Sequence, residues 1–197
     1  IVPGMTEFEI AAILDEEVVS RGMIPNVTLI AVDDRISKYR HPIPTDKKLE
    51  KYAMLVIGAR KWGLILSATR LVHFGKISEE LRRKHNAVVE VDAAFISGTR
   101  TGTRVGKVFT AAQQTYARTG FADEWKLHHQ GGSCGYNNRE VVAVPGNAVN
   151  VLENQPFAWN PSITGVKSED TVLVTTGGIE VLTAHSRDWP TVEATCA

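Results

Sequence analysis

The order of elements constrains this fold most: a helix followed by strands occurs twice, divided near Gly75. Thr6-Glu7-Phe8-Glu9 opens the first half as a capping box, in which Thr6 and Glu9 satisfy each other's free backbone N–H groups. Ile10, Leu14 and Val18 recur at helical spacing with Ile13 beside them, and Gly22 stands where a helix stops. Residues 6–21 are therefore expected to form an amphipathic helix. Val27 to Val32 is a β-branched apolar run and predicts a strand. From Asp33 to Lys48 the chain turns polar, and His41-Pro42-Ile43-Pro44 forbids helix. Strands are expected over 52–59 and 64–72, joined by a hairpin turn at Arg60-Lys61-Trp62-Gly63.

In the second half Ser78, Glu79 and Glu80 begin a helix by cap and dipole rules, ending near Gly98. A third helix is expected over 103–118, stopped by Gly120. Beyond Trp125 the pattern predicts strands over 139–144, 155–159, 166–175 and 180–183, the last hairpin turning at Gly177-Gly178. This order implies an α+β domain, with helices backing a mostly antiparallel sheet in two related halves. No residue-level repeat accompanies it.

At 197 residues the chain suits a single domain, which would bury roughly 70% of the surface exposed by its unfolded form. Basic and acidic residues balance at 22 each, so no nucleic-acid or polybasic membrane footprint is expected. No apolar run is long enough to span a bilayer. Cys134 and Cys196 are too few for a disulfide framework, and a reducing cytoplasm is the expected location. The start at Ile1 and the early Pro3-Gly4 lead to the expectation that residues 1–197 are one domain of a longer protein, with an N-terminal partner domain absent.

Chemistry concentrates between His128 and Glu140, where two histidines precede Gly131, Gly132 and Gly135, and Arg139-Glu140 closes the run. The glycines let backbone approach a ligand or another strand closely. Histidine, arginine and glutamate supply titratable and bidentate groups.

Together these stretches resemble the catalytic domain shared by methionine aminopeptidase, aminopeptidase P, prolidase and creatinase, the pita-bread fold. Gly4-Met5-Thr6-Glu7 with Glu9 matches the family's first helix, and His41-Pro42 with Asp46 and Leu49 its loop into the first metal-bearing strand. Gly58-Ala59, Gly63 and Thr69-Arg70 match the hairpin, and His128 with Gly131 through Gly135 the histidine–glycine strand. The run from Gly165 to Thr175 matches the closing hairpin closely. The resemblance covers nearly the whole chain and implies a curved, mostly antiparallel sheet backed by helices.

It also implies a ligand set. Family peptidases hold two divalent ions on two Asp, one His and two Glu. Aligned on Gly58 and Arg70, the Asp positions fall on Val56 and Ser67. Aligned on His128 and Gly135, the His falls on Gly132, and the first Glu falls on Asn160 before Pro161. Glu169 alone keeps its carboxylate. Two divalent ions about 3.7 Å apart repel by on the order of 18 kcal/mol at an effective dielectric of 20. One carboxylate cannot offset that, so no metal or other cofactor is expected.

By the same resemblance His41 and His128 are substrate-side imidazoles, with Glu169 a third candidate for acid–base work. Arg139 and His129 are candidates for substrate binding, Arg139 through a bidentate grip on a carboxylate. A free-standing reading of Arg139 pairs it with Glu140 instead. His129 is expected on the opposite strand face from His128. Cys134 near the histidines permits a nucleophile, although a buried inert thiol is the simpler reading. His73, His85 and His185 carry no spacing signal. The functional expectation is a metal-independent hydrolase or binder of a small amino-acid-like or peptide ligand, assembled as a homodimer. A non-enzymatic protein-interaction module and an ordinary metal-dependent Xaa-Pro aminopeptidase or dipeptidase are the alternatives.

Overall fold

The computed structural model describes residues 1–184 and 189–194, so His185 and Cys196 lie outside the described residues. Helix α1 spans Glu7–Ser20 behind the expected box: the Thr6 hydroxyl accepts from the Glu9 N–H at 3.1 Å and Glu9 accepts from the Thr6 N–H at 2.7 Å. Strand β1 (Ile24–Val32), a single-turn α2 (Arg35–Lys38), β2 (Tyr52–Lys61) and β3 (Leu64–His73) complete the first half. Strands β1, β2 and β3 form an antiparallel sheet in that order. Ile10 of α1 packs on Ile30, Val32, Leu49 and Ala53, the small core that holds α1 to this sheet.

The second half begins with α3 (Glu79–Gly98) and α4 (Val105–Arg118). Beyond Gly120 the chain first winds into a short 3-10 helix, Glu124–Leu127, before any strand forms. Strands β4 (Gly131–Ser133), β5 (Val141–Val142), β6 (Pro156–Trp159), β7 (Ser162–Ile163), β8 (Val166–Lys167), β9 (Asp170–Thr175) and β10 (Gly178–Val181) follow. Five of them form an antiparallel sheet in the order β10-β9-β6-β4-β5, and β7 pairs with β8. The strand expected over 139–144 shrinks to β5, because Asn137 and Glu140 are tied into a turn by their own hydrogen bonds. The strand expected over 166–175 breaks at Ser168-Glu169.

Helices α3 and α4 cover the second sheet through a core in which Phe95 stacks on Trp159 at 4.4 Å between ring centroids. The buried Trp159 indole N–H donates to the Thr99 hydroxyl at 2.9 Å, which satisfies its one polar atom. The break before β9 has a structural use. It lets Glu169 bridge to Thr69 of β3, with the Thr69 N–H donating to the Glu169 carbonyl at 3.0 Å. Two residues on, the Thr171 hydroxyl accepts from the Ser67 N–H and donates to the Ser67 carbonyl, each at 2.9 Å. The two sheets are thus stitched together at the candidate site.

Candidate functional site

Glu7 at the start of α1 positions the first imidazole. It is fully buried and accepts from the Val32 N–H, the Arg35 Nε–H and both the N–H and hydroxyl of Thr45. These bonds pin both sides of the proline-bearing loop that carries His41. Arg40 then fastens that loop to the other half, reaching Glu124 at 2.7 Å, Thr164 at 2.8 Å and Ser162 at 3.2 Å. From the second half, Gln130 accepts from the Tyr116 hydroxyl at 2.7 Å and donates to the His128 carbonyl at 2.6 Å. His41 and His128 consequently meet, Nε2 to Nε2, at 3.2 Å. One ring carries the shared proton and the other accepts it.

His129 joins them instead of turning away. Its ring stacks on His128 at 4.5 Å and on His41 at 5.5 Å between centroids. Strand alternation fails here because β4 begins only at Gly131; His128 ends the 3-10 helix, and no pleat separates the two side chains. His41 and His129 are exposed while His128 is buried. Burial, followed by the Lys167 ammonium and the neighbouring imidazoles, pushes His128 down to about 2. Burial and the Arg139 guanidinium push His129 down to about 4, and burial with Lys167 lowers His41. The cluster is neutral at physiological pH.

Glu169 lies beside this trio, 3% exposed. Its Oε2 accepts from the Thr69 hydroxyl at 2.6 Å and from Lys167 Nζ at 3.0 Å, and its Oε1 faces an Arg139 nitrogen at 3.6 Å. Burial would raise this carboxyl, but Lys167, Thr69 and Arg139 together hold it below the usual carboxylate range. Its hydrogen bonds therefore go to a lysine and a threonine, not to an imidazole as an acid–base couple. Arg139 turns inward to Glu169, while Glu140 accepts from Asn137 instead of pairing with it. Sequence reasoning missed Lys167, because the strand breaks at Ser168-Glu169 and alternation does not carry its side chain to the carboxylate.

The aligned ligand positions fall on β2, β3 and β4 and just after β6. Val56 on β2 pairs with Thr69, and Ser67 lies two residues before Thr69 on β3. Gly132 pairs with Ala158, and Asn160 follows directly after the Trp159–Asp170 pair, which sets it opposite Glu169. Asn160 Oδ1, Ser133 Oγ, His128 Nδ1 and Arg139 Nε are buried without a hydrogen-bond partner among the described residues. Cys134 is buried, which pushes its thiol up to about 11 and keeps it from acting as a thiolate nucleophile at neutral pH. His41, His128 and His129 each place a nitrogen within 4.8 Å of the others, a trio of the residue types that hold a transition metal. The nearby Lys167 and Arg139 charges oppose a cation there, and His128 Nδ1 lacks the acceptor that would orient a ligand ring.

The neutral trio makes stability pH-dependent. His128 has its pKa depressed on folding, so its contribution is present above about 6.5 and is lost as pH falls toward 2. Asp92, raised to about 7 by burial, acts with the opposite sign between its ordinary range and that value. Comparing wild type with His128→Gln isolates the histidine. Their difference in unfolding free energy should change by about 1.4 kcal/mol per pH unit between roughly pH 6.5 and 4.5, read from urea melts. Parallel pH profiles would mean that His128 is solvated.

Comparison with known proteins agrees with this architecture. Residues 1–176 match the model of metallopeptidase family M24. An uncharacterized peptidase of Staphylococcus haemolyticus is 27% identical over 194 residues, covering 93% of this chain and 55% of the relative. The chain thus spans about half the length of the curated relatives it matches. A prolidase from Pyrococcus furiosus superposes with a TM-score of 0.86 at 23% identity, over 95% of this chain and 58% of that one. An X-Pro aminopeptidase from Thermotoga maritima gives 0.84 at 25%, over 95% and 56%. Among the described residues no helix is long and apolar enough to cross a membrane. With the family model spanning both halves, the chain belongs to metallopeptidase family M24 and has its pita-bread fold.

Proposed function

We propose that this cleft works without the two-metal centre of its family and binds a small amino-acid-like or peptide ligand through a carboxylate. The observation that carries the reading is the engagement of Glu169. This last carboxylate of the aligned ligand set already serves Thr69, Lys167 and Arg139. The donor set is a poor fit for two hard cations: a buried valine, a backbone-bonded serine, a glycine, an amide and one committed carboxylate. Lys167 and Arg139 supply fixed positive charge instead. Arg139 is the group for a ligand carboxylate, with exposed His129 beside it. His41, exposed and sharing a proton with His128, is the group that can exchange one with a ligand amide or amine.

The test is elemental analysis with a peptidase assay on the purified protein. After dialysis no stoichiometric Mn, Co or Zn should remain, and Xaa-Pro dipeptides should survive with or without added Mn or Co. One or two retained equivalents, with hydrolysis abolished by a chelator, would return the chain to ordinary metal-dependent dipeptidases. Arg139→Ala should weaken carboxylate binding by about ten- to hundredfold, the loss of one charge-assisted hydrogen bond. Titration of wild type and variant by calorimetry checks this.

A further inference from the structure

A cavity of about 760 Å³ opens between β3 and α3, a size typical of small-molecule sites. Thr69 and Lys167, which hold Glu169, form part of its wall, whereas His41, His128, His129 and Arg139 do not line it. One face of α3 borders it at Leu81, His85, Val89, Asp92 and Ile96, the spacing of a single helical stripe. Leu71, Val166, Trp189 and Val192 add apolar wall.

Asp92 is the group on this wall that lacks a partner. It is 5% exposed; its Oδ2 accepts from the Ser168 hydroxyl, and its buried Oδ1 has no hydrogen-bond partner among the described residues. The cations nearby are committed elsewhere. Arg70 donates to Asp170 at 2.8 Å and to the Thr69 and Thr183 carbonyls, each at 2.7 Å, and Lys167 pairs with Glu169 at 3.0 Å. Arg82 is exposed and sits three turns back along α3, about 15 Å by helical rise. Burial and Arg82 lower His85, which is therefore neutral at pH 7, and His73 lies against the Gly75 carbonyl and the Tyr52 ring. Burial, then the Asp170 and Glu169 carboxylates, push Asp92 up to about 7 against the Ser168 hydrogen bond and Arg70, so its ionised form is short of a counter-charge. We propose that this cavity is a second binding site and takes an amine with an apolar body, its ammonium paired with Asp92.

This site is independent of what the cleft binds. An ammonium brings three donors and no acceptor. One donor serves Asp92 Oδ1. Another can meet Ser168 Oγ, whose lone pairs remain available because its own proton goes to Asp92. An alcohol of the same length would cover the apolar wall yet leave the carboxylate without a cation, and a carboxylate ligand would be repelled by Asp92.

The experiment is a calorimetric titration of the intact chain with octylamine, octanol and octanoate, repeated on Asp92→Asn, Val89→Trp and Arg139→Ala. Octylamine should bind one to one and about ten- to hundredfold more tightly than octanol, the worth of one charge-assisted hydrogen bond. Asp92→Asn should bring octylamine down to the affinity of octanol and leave octanol unchanged. Val89→Trp fills the cavity and should remove both, which keeps the test intact even where Asp92→Asn does not fold. Arg139→Ala should change neither. Octanol or octanoate binding as tightly as octylamine, or octylamine binding that survives Asp92→Asn, would overturn the amine assignment. No binding of any probe at millimolar concentration, binding that survives Val89→Trp, or binding lost in Arg139→Ala would overturn the site itself.

Discussion

Glu169→Ala should destabilise the protein by about 3–5 kcal/mol, the usual cost of removing one partner from a buried ion pair. Lys167 and Arg139 have side chains only 4% and 11% exposed, so neither can exchange the lost carboxylate for bulk water. The Thr69 hydroxyl also loses its acceptor. Because Thr69 and Glu169 form the bridge between the two sheets, the damage falls on the joint between the halves. For a domain of this size the change is on the order of 10 °C in melting temperature. The paired variant Lys167→Met/Glu169→Leu separates charge from packing. Replacing both members of a buried pair with apolar groups is often neutral or stabilising, so it should recover the share of the loss due to Lys167, while Arg139 and Thr69 remain without their partner. Urea denaturation of the three proteins decides the matter. A Glu169→Ala variant within about 1 kcal/mol of wild type, the scale of a surface pair, would show that the network is solvated.

The fold was legible where local signals and tertiary demands agree. Thr6 and Glu9 cap α1 as their spacing predicts, and Gly58 and Arg70 set a register that places Val56 and Ser67 on adjacent strands. What escaped depends on contacts distant in sequence. Glu7 reads only as a residue between the capping pair Thr6 and Glu9, yet its carboxylate is buried and organises a loop that lies far along the chain at Thr45. His128 and His129 read as opposite faces of a strand, but the strand starts later and both rings stack. Lys167 reads as one polar residue in a hairpin motif. Only the break at Ser168-Glu169 shows that its ammonium serves the neighbouring carboxylate. Arg139 reads most simply as the partner of Glu140, and the turn at Asn137 removes that partner.

Gly132→His, which would put an imidazole at the position the resemblance aligns with a metal-ligating histidine, should abolish folding. Gly132 has φ +147° and Gly131 has φ +104°, conformations that a side chain adopts only under strain. Space is a harder limit than torsion. A Cβ at Gly132 would lie 1.9 Å from the Val141 carbonyl oxygen and 3.0 Å from the Ala143 nitrogen, both backbone atoms of the adjoining segment. At Gly131 it would lie 2.1 Å from the Ala158 carbonyl oxygen on β6. Neither oxygen can move without opening the pairing of β4 with its neighbours, where Gly132 is matched to Val142 on one side and Ala158 on the other. The position to which the resemblance assigns a histidine is thus enclosed by backbone on both sides. Even Gly132→Ala should cost more than about 4 kcal/mol, among the exceptional values for a single substitution. Val56→Asp and Ser67→Asp replace residues that already carry a Cβ, so they should be less damaging to β4 pairing. Soluble yield and urea midpoints of Gly132→Ala and Gly132→His measure the effect. A Gly132→His protein as stable as wild type that takes up Mn would show that β4 can still open to a ligand.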